Sequence, residues 1–288
     1  MKKTSLLRKY ILEDAILVMP GAHDALTAKI VGQAGFKALT IGGYSASASL
    51  LGKPDLSFLT LTEMVDCVRR IVDAVDIPVF TDGDTGHGGV LNVQRTVKEI
   101  ERTGAAGMFI EDQVFPKRCG HMLDKQVIET PDMIAKVKAA VDARIDDDFV
   151  IMARTDALAV NGLEDAIDRA NLFYEAGADL IFVEAPTTIE QMQMITEQID
   201  APLLANNIEG GKSPLLSAMA LEKIGYNTVV FPVAATYTIA KAVRNLMEEL
   251  AATGTTAGFS KQLISFDEFN DLIGLDSLRS LERNFFHT

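Results

Sequence analysis

The chain has little of what several function classes require. Of its 288 residues only two are cysteines, Cys67 and Cys119. Two thiols cannot build a disulfide scaffold, and such usage suits a reducing, cytoplasmic setting. Positive charge is scarce as well: 27 Lys and Arg stand against 40 Asp and Glu, a formal charge of −13. Such a surface repels phosphate backbones, so nucleic acid is not an expected partner. No apolar run approaches a membrane span, and residues 1–10 lack the apolar core of a signal peptide. No linker or low-complexity tract divides the chain. The glycine-rich segment 82–89 fails as a nucleotide loop. Gly86-His87-Gly88 is followed by Leu91 where the dinucleotide pattern needs a third glycine, the segment carries no Lys-Ser/Thr pair, and Asp82 and Asp84 would repel a pyrophosphate.

What is present is a regular alternation. Apolar strand candidates recur at 16–19, 37–41, 77–81, 106–110, 149–153, 179–183, 202–205 and 227–231, rich in Val, Ile, Leu and Phe without polar alternation, as in strands buried on both faces. Amphipathic helical stretches lie between them, among them 61–74, 91–103, 132–144, 163–176 and 214–223. Gly35, Gly104, Gly177 and Gly225 each stand between a helical stretch and the next strand, where a left-handed C-terminal cap is expected. Pro78 and Pro202 open two strands at positions where a missing amide donor costs little. Eight strand–helix units favour an α/β chain folded as a (β/α)₈ barrel over a doubly wound sheet, with 1–288 as one domain. From about 258 to 288 the tail carries Phe259, Leu263, Phe266, Phe269, Leu278, Leu281, Phe285 and Phe286. That is more apolar surface than a free tail leaves in water, so it is expected to pack on the barrel or on a neighbouring subunit.

In such a barrel the reactive groups lie at the C-terminal ends of the strands. Those ends read Gly42-Gly43-Tyr44-Ser45, Asp82-Gly83-Asp84, Glu111-Asp112, Arg154-Thr155-Asp156, Glu184 and Asn206-Asn207. Carboxylates converging on one rim need a cation, and an oxygen-only set points to Mg²⁺ or Mn²⁺. Arg154 offers a planar fork for a substrate carboxylate. Past Glu111-Asp112 the chain enters a loop in which Cys119 stands between Lys117-Arg118 and Gly120-His121, where positive charge is expected to favour its thiolate or ready it for proton exchange. His121 is placed to orient Cys119 or to contact substrate. Cys67, on a helical stretch, reads as core packing, and His23 and His287 read as structural or exposed.

These segments together resemble a known family. Lys117-Arg118-Cys119-Gly120-His121 is similar to the signature loop of the isocitrate lyase and phosphoenolpyruvate mutase superfamily, in its carbon–carbon lyase branch. Gly52-Lys53-Pro54-Asp55, Asp82-Gly83-Asp84-Thr85-Gly86, Glu111-Asp112-Gln113, Met152-Ala153-Arg154-Thr155-Asp156, Val183-Glu184-Ala185-Pro186 and Ala205-Asn206 follow the family's motifs in order and spacing, over about residues 10–250. The resemblance implies a homotetramer that exchanges C-terminal helices between subunits. It implies Mg²⁺ on Asp82, with Asp55, Asp84 and Glu111 reached through water, and a mobile lid over 115–126 that brings Cys119 in as the acid. Gly42, Gly43, Tyr44, Asp82, Lys117, Arg118, Gly120, His121, Arg154, Glu184, Asn206, Pro232 and Tyr237 would line the substrate, with Tyr44 or a carboxylate such as Glu111 as the base.

The implied reaction is metal-assisted cleavage of the C2–C3 bond of a 2-hydroxy acid, giving a 2-keto acid and a short carboxylate. Methylisocitrate lyases carry arginine where this chain has Met122 and near the position of Tyr237, which argues against a third substrate carboxylate. Phosphonopyruvate-processing relatives generally lack the lid cysteine. Gly42-Gly43-Tyr44, Glu209-Gly210-Gly211-Lys212 and Tyr237 look closer to the branch of 2,3-dimethylmalate lyase and 2-alkylmalate lyase, and the serine that oxaloacetate hydrolases tend to carry is replaced by Pro232. A substituted malate is the expected substrate, with methylisocitrate or oxaloacetate as alternatives. A barrel that only binds dicarboxylates is the remote one.

Overall fold

The computed structural model describes residues 1–122 and 124–286. Among them, eight strands run parallel: β1 (Leu17–Pro20), β2 (Leu39–Ile41), β3 (Val79–Asp82), β4 (Gly107–Glu111), β5 (Val150–Thr155), β6 (Leu180–Val183), β7 (Leu204–Asn206) and β8 (Thr228–Phe231). They pair as β2-β3-β4-β5-β6 and as β1-β8-β7. Parallel bridges at Gly21 with Thr40 and at Ile181 with Leu203 join the two sets, closing the cylinder. Both strand-entry prolines use the group they retain: the Pro78 carbonyl accepts from the Leu39 amide (3.1 Å) and the Pro202 carbonyl from the Ile181 amide (2.9 Å).

Helices α1 (Lys3–Ile11), α2 (Ala25–Gln33), α3 (Gly43–Leu51), α4 (Leu61–Ala74), α5 (Val90–Glu101), α6 (Thr130–Ala143), α7 (Leu163–Glu175), α8 (Ile189–Gln198) and α9 (Ala218–Ile224) belong to the same unit, Met1–Ala234. Their starts have local causes. Thr60 and Glu63 form a reciprocal capping box at α4, and Asp24 caps α2 by accepting from the Thr27 amide. The four expected capping glycines, Gly35, Gly104, Gly177 and Gly225, all lie at positive φ.

Side-chain alternation sorts the strands into two packing layers. Outward residues such as Met108, Ile110, Ile151, Ile181 and Val229 join the helices' apolar faces in one core, which also holds Cys67. Inward residues Met19, Phe80, Phe109, Val150, Met152, Leu180, Phe182, Leu204 and Val230 form a second core. Leu7 and Ile11 of α1 belong to that inner core. An apolar helix end packed with the barrel's interior residues makes the cylinder a filled core rather than a pore.

The second unit, Ala235–Thr288, is helical over its described residues. It comprises most of α10 (Ala234–Thr253), a 3₁₀ turn (Ala257–Gln262), α11 (Phe266–Ile273) and α12 (Leu275–Phe286). Gly274 separates α11 from α12 in the left-handed region at φ 83°, where a Cβ would be strained. Phe266, Leu278, Leu281, Phe285 and Phe286 are exposed, the apolar surface expected of the tail. No helix among the described residues is long and apolar enough to cross a membrane. His287 lies outside the described residues.

Candidate active site

The same two-residue period that fills the barrel also builds the site. On six of the eight strands, β3 to β8, the residue two positions beyond the last inward apolar residue is a candidate: Phe80 leads to Asp82, Phe109 to Glu111, Met152 to Arg154, Phe182 to Glu184, Leu204 to Asn206 and Val230 to Pro232. The barrel supplies a dry floor, with the Phe182 ring 5.3 Å from the Arg154 guanidinium.

One half of the site is acidic. Asp82 Oδ2 accepts from the Gly43 amide at 2.8 Å, and Oδ1 from the Asp84 amide at 2.7 Å. A Cβ at Gly43 would stand 2.9 Å from Asp82 Oδ2, so only glycine lets the N-terminus of α3 approach a carboxylate this closely. Asp55 and Asp84 share a small cavity with Asp82, Gly43 and His87. The Lys117 ammonium enters the group, 2.7 Å from Asp55 Oδ2 and 3.9 Å from Asp84 Oδ2. Burial pushes the Asp84 carboxyl up; Lys117 opposes this while Asp82 and Asp55 add to it. Burial pushes Glu111 well above its ordinary value, against Arg154 and Lys117.

These residues fit a divalent cation. Both Glu111 carboxylate oxygens are buried without a hydrogen-bond partner among the described residues, and the neighbouring acids draw a lysine inward. No three His, Cys, Asp or Glu side chains among the described residues close on one point tightly enough to hold an ion directly. An ion held by one carboxylate and linked to the others through water suits that spacing, as Mg²⁺ prefers.

The other half surrounds Arg154. Its Nε and Nη2 donate to Asp156 at 2.9 and 3.1 Å. Nη2 lies 3.1 Å from Glu184 Oε2, and Nη1 lies 3.4 Å from Glu111 Oε2. Nε and Nη2 are thus committed to Asp156, while Nη1 faces Glu111 and completes no hydrogen bond among the described residues. Burial pushes Asp156 up, but Arg154 and Lys125 outweigh it and bring the carboxyl down to about 2.

The Cys119 loop lies folded over this half. Val114 donates to the Gln126 carbonyl (2.8 Å) and Ile128 to that of Asp112 (2.8 Å), tying the loop's ends together. The Gln113 side chain bonds both the Arg118 amide (3.0 Å) and the Arg118 carbonyl (2.8 Å). His121 Nδ1 accepts from the Lys212 amide at 2.9 Å. Nε2 therefore carries the proton of the neutral ring, and it faces Glu184 Oε1 at 3.1 Å, off the line of a good hydrogen bond. Gly120 packs against the Arg154–Glu184 pair so closely that a Cβ would stand 2.3 Å from Arg154 Nη2.

Cys119 departs from one branch of the sequence expectation, the favoured thiolate, and not from the other, proton exchange. Its half-buried thiol is pushed above the ordinary value by burial, which outweighs the His121 backbone bond and Arg154. The flanking cations do not favour the thiolate because of where they point: Lys117 to Asp55, and the half-exposed Arg118 to Asp124 at 3.7 Å. Cys67 is core packing as expected, its thiol pushed by burial up to about 11.

Asp55, Asp82, Asp84, Glu111, Lys117, Gly120, His121, Arg154 and Glu184 are thus interlinked, and Tyr44 follows Gly43 in the first turn of α3. Asn206 is half-buried with a partnerless Oδ1. Ser45 donates to the Pro232 carbonyl at 2.9 Å. Arg118 points away, and Tyr237 belongs to the second unit on α10. The sequence pattern does not single out two further residues. Lys125 is buried, bonded to Gly120 and Asp156, and its only signal in the sequence is a second lysine at the far end of the loop from Lys117. His87, noticeable in the sequence only as part of the glycine-rich segment, lines the acidic cavity with a buried, partnerless Nε2.

Comparison with known proteins shows the family. The sequence model of the phosphoenolpyruvate phosphomutase family matches residues 7–251. The chain is 46% identical to 2,3-dimethylmalate lyase of Eubacterium barkeri over 99% of each protein. It is 41% identical to 2-methylisocitrate lyase of Halalkalibacterium halodurans, covering 98% of this chain and 93% of that one. A crystal structure of 2,3-dimethylmalate lyase, described as a PEP mutase/isocitrate lyase superfamily member, superposes with a TM-score of 0.93 at 34% identity, covering 99% of this chain and 95% of that one. Oxaloacetate acetylhydrolase bound to 3,3-difluorooxalacetate gives 0.93 at 32% identity, covering 98% and 97%. Phosphonopyruvate hydrolase with oxalate and Mg²⁺ gives 0.90 at 28%, covering 99% and 100%. With its barrel closed, its strand-end acids gathered and its Cys119 loop in place, the chain belongs to the phosphoenolpyruvate phosphomutase family of the PEP mutase/isocitrate lyase superfamily.

Proposed function

We propose that this enzyme, a carbon–carbon lyase, cleaves a substituted malate of the 2,3-dimethylmalate type to pyruvate or another 2-keto acid and a short carboxylate. The observation that carries the reading is Cys119. Its loop is folded over Arg154 and Glu184, and burial pushes its thiol further above the ordinary range. A protonated thiol beside an arginine-bound carboxylate is a proton donor waiting for a carbanion.

Arg154 Nη1 would receive the substrate's C1 carboxylate, and the Gly43 and Tyr44 end of α3 would face its 2-oxygen. A base, Tyr44 or a carboxylate of the acidic half, takes the C2 hydroxyl proton. The oxygen's electrons form the C2 carbonyl, and the C2–C3 pair passes to C3 as the enolate of the departing carboxylate. Cys119 then donates its proton to C3. A divalent ion, Mg²⁺ or Mn²⁺, held by Asp82 and linked through water to Asp55, Asp84 and Glu111, would supply the positive charge that offsets the developing oxyanion. A homotetramer that exchanges its C-terminal helices would cover the apolar surface of α11 and α12. The 2,3-dimethylmalate lyase relatives support the substrate class, and the Mg²⁺ in the phosphonopyruvate hydrolase structure supports the ion.

Substrate choice would come from the far end of the molecule, because the 2-hydroxy acid end is common to all candidates. Met122 stands where the sequence resemblance places an arginine in methylisocitrate lyases. An extra carboxylate there loses hydration without a partner, at a cost of several kcal/mol. An alkyl group there gains only about 0.8 kcal/mol per buried CH₂. Penalty therefore outweighs attraction in setting the preference. The test is a side-by-side assay of 2,3-dimethylmalate, other alkylmalates, 2-methylisocitrate and oxaloacetate with Mg²⁺. Alkylmalates are expected to give the highest kcat/KM. Methylisocitrate as the best substrate would overturn the far-wall argument, and oxaloacetate in that place would make the enzyme a hydrolase.

A further inference from the structure

We infer that Lys125 is a positioning residue for the acid step, holding the Cys119 loop in register with Arg154 through Asp156; the inference rests on the lyase reading above. Lys125 lies at the far end of the loop from Lys117, and its side chain is buried, 2% exposed. Its ammonium donates to the Gly120 carbonyl at 2.5 Å and to Asp156 Oδ1 at 2.6 Å. The first acceptor is the main chain next to Cys119. The second is the carboxylate that grips the Arg154 fork through both oxygens.

One ammonium thus spans two parts of the reaction, the donor loop and the cradle of the substrate-binding guanidinium. The other loop anchors are different in kind. Lys117 ties the loop to the acidic half, Gln113 ties it to itself at Arg118, and His121 ties it to the Lys212 amide. Lys125 joins the peptide beside the acid to the group that fixes where the substrate lies.

Burying an ammonium is unfavourable unless its partners are in place. Those partners, the Gly120 carbonyl and Asp156, meet only when the loop is down. With the loop raised, water would take the place of the Gly120 carbonyl on Lys125, so the charge serves as a latch specific to the closed arrangement. Asp156 would remain on Arg154 in either case, anchored by its backbone N–H, which donates to Asp112 Oδ1 at 2.9 Å. Loop closure then changes the position of Cys119 without disturbing the substrate carboxylate's site.

The test is Lys125→Met in the full-length enzyme, with two independent readouts. The first is the rate of Cys119 alkylation by iodoacetamide without substrate, followed by mass spectrometry and measured across pH to separate exposure from ionisation. Buried Cys67 is the internal control. We expect Cys119 to react about tenfold faster or more, with Cys67 unchanged, as one charged hydrogen-bonding anchor is removed. The second is the steady-state split on the best malate: kcat lower by about tenfold or more, KM altered far less, and partial recovery in Lys125→Arg. Unchanged alkylation together with unchanged kcat would overturn the inference, as would a rise in KM alone. If Lys125→Met does not accumulate folded, Lys125→Gln carries both readouts. Because alkylation needs no substrate, faster labelling in an enzyme inactive on every malate would uphold Lys125 as the loop anchor while refuting the malate reading.

Discussion

Gly120→Ala tests the closed loop most directly. The added methyl would stand 2.3 Å from Arg154 Nη2 and 2.5 Å from Glu184 Cδ and Cγ, roughly 1 Å inside an ordinary carbon contact. Neither neighbour can step aside cheaply. Arg154 is held by two bonds to Asp156, and Glu184 is wedged between Arg154 and His121. Overpacking of this size costs about 1–3 kcal/mol. The loop can escape the clash by lifting, so the cost falls on closure instead of on folding. A penalty of that size lowers the closed-to-open ratio by roughly 5- to 150-fold. We expect kcat/KM to fall within that range, with a thermal midpoint within about 2 °C of the parent, because barrel packing is untouched. The assay is keto-acid release from 2,3-dimethylmalate with Mg²⁺, beside a melting curve and Cys119 alkylation, which should accelerate. Near-parental turnover would refute the argument that this contact forms during catalysis. A large fall in melting temperature would show that the loop belongs to the folding core.

Three further outcomes follow from the same geometry. Cys119→Ser and Cys119→Ala should fold and assemble normally yet lose cleavage by orders of magnitude, since the thiol supplies a proton and little packing. In the parent enzyme, activity should persist to alkaline pH and fall only as the pH passes a pKa above that of an ordinary thiol; loss below that range would mean another group is the acid. Exhaustive chelation should remove activity, with either Mg²⁺ or Mn²⁺ restoring it, and Asp82→Ala should be more damaging than Asp55→Ala; full turnover after chelation would exclude the metal role. Asp156, whose carboxyl is brought down to about 2, contributes stability that is present above about pH 4 and lost as the pH falls toward 2. Asp156→Asn should therefore flatten the pH dependence of the denaturation midpoint across that window, and an unchanged slope would refute the assignment.

The eight strands were legible in the sequence because a strand buried on both faces writes itself as an unbroken apolar run, and because Gly104 or Pro202 at a boundary has a backbone reason to be there. The acids of the rim were legible for a related reason. Asp82, Glu111, Arg154 and Glu184 each follow an apolar run at the first position where a barrel strand can tolerate a charge. What the sequence could not decide was direction. Lys117 and Arg118 are neighbours, yet one ammonium is buried against Asp55 and the other cation is turned outward to Asp124. Of the two readings of Cys119, a favoured thiolate or a thiol ready for proton exchange, the first failed because sequence adjacency is not spatial adjacency. Lys125 was equally illegible, because its partners, Asp156 and the Gly120 carbonyl, meet only when strand β5 and the loop after β4 fold against each other. Local pattern determined which residues reach the mouth of the barrel. Only the tertiary structure decided which of them face one another, since burial and pairing are properties of the closed site and not of any single segment.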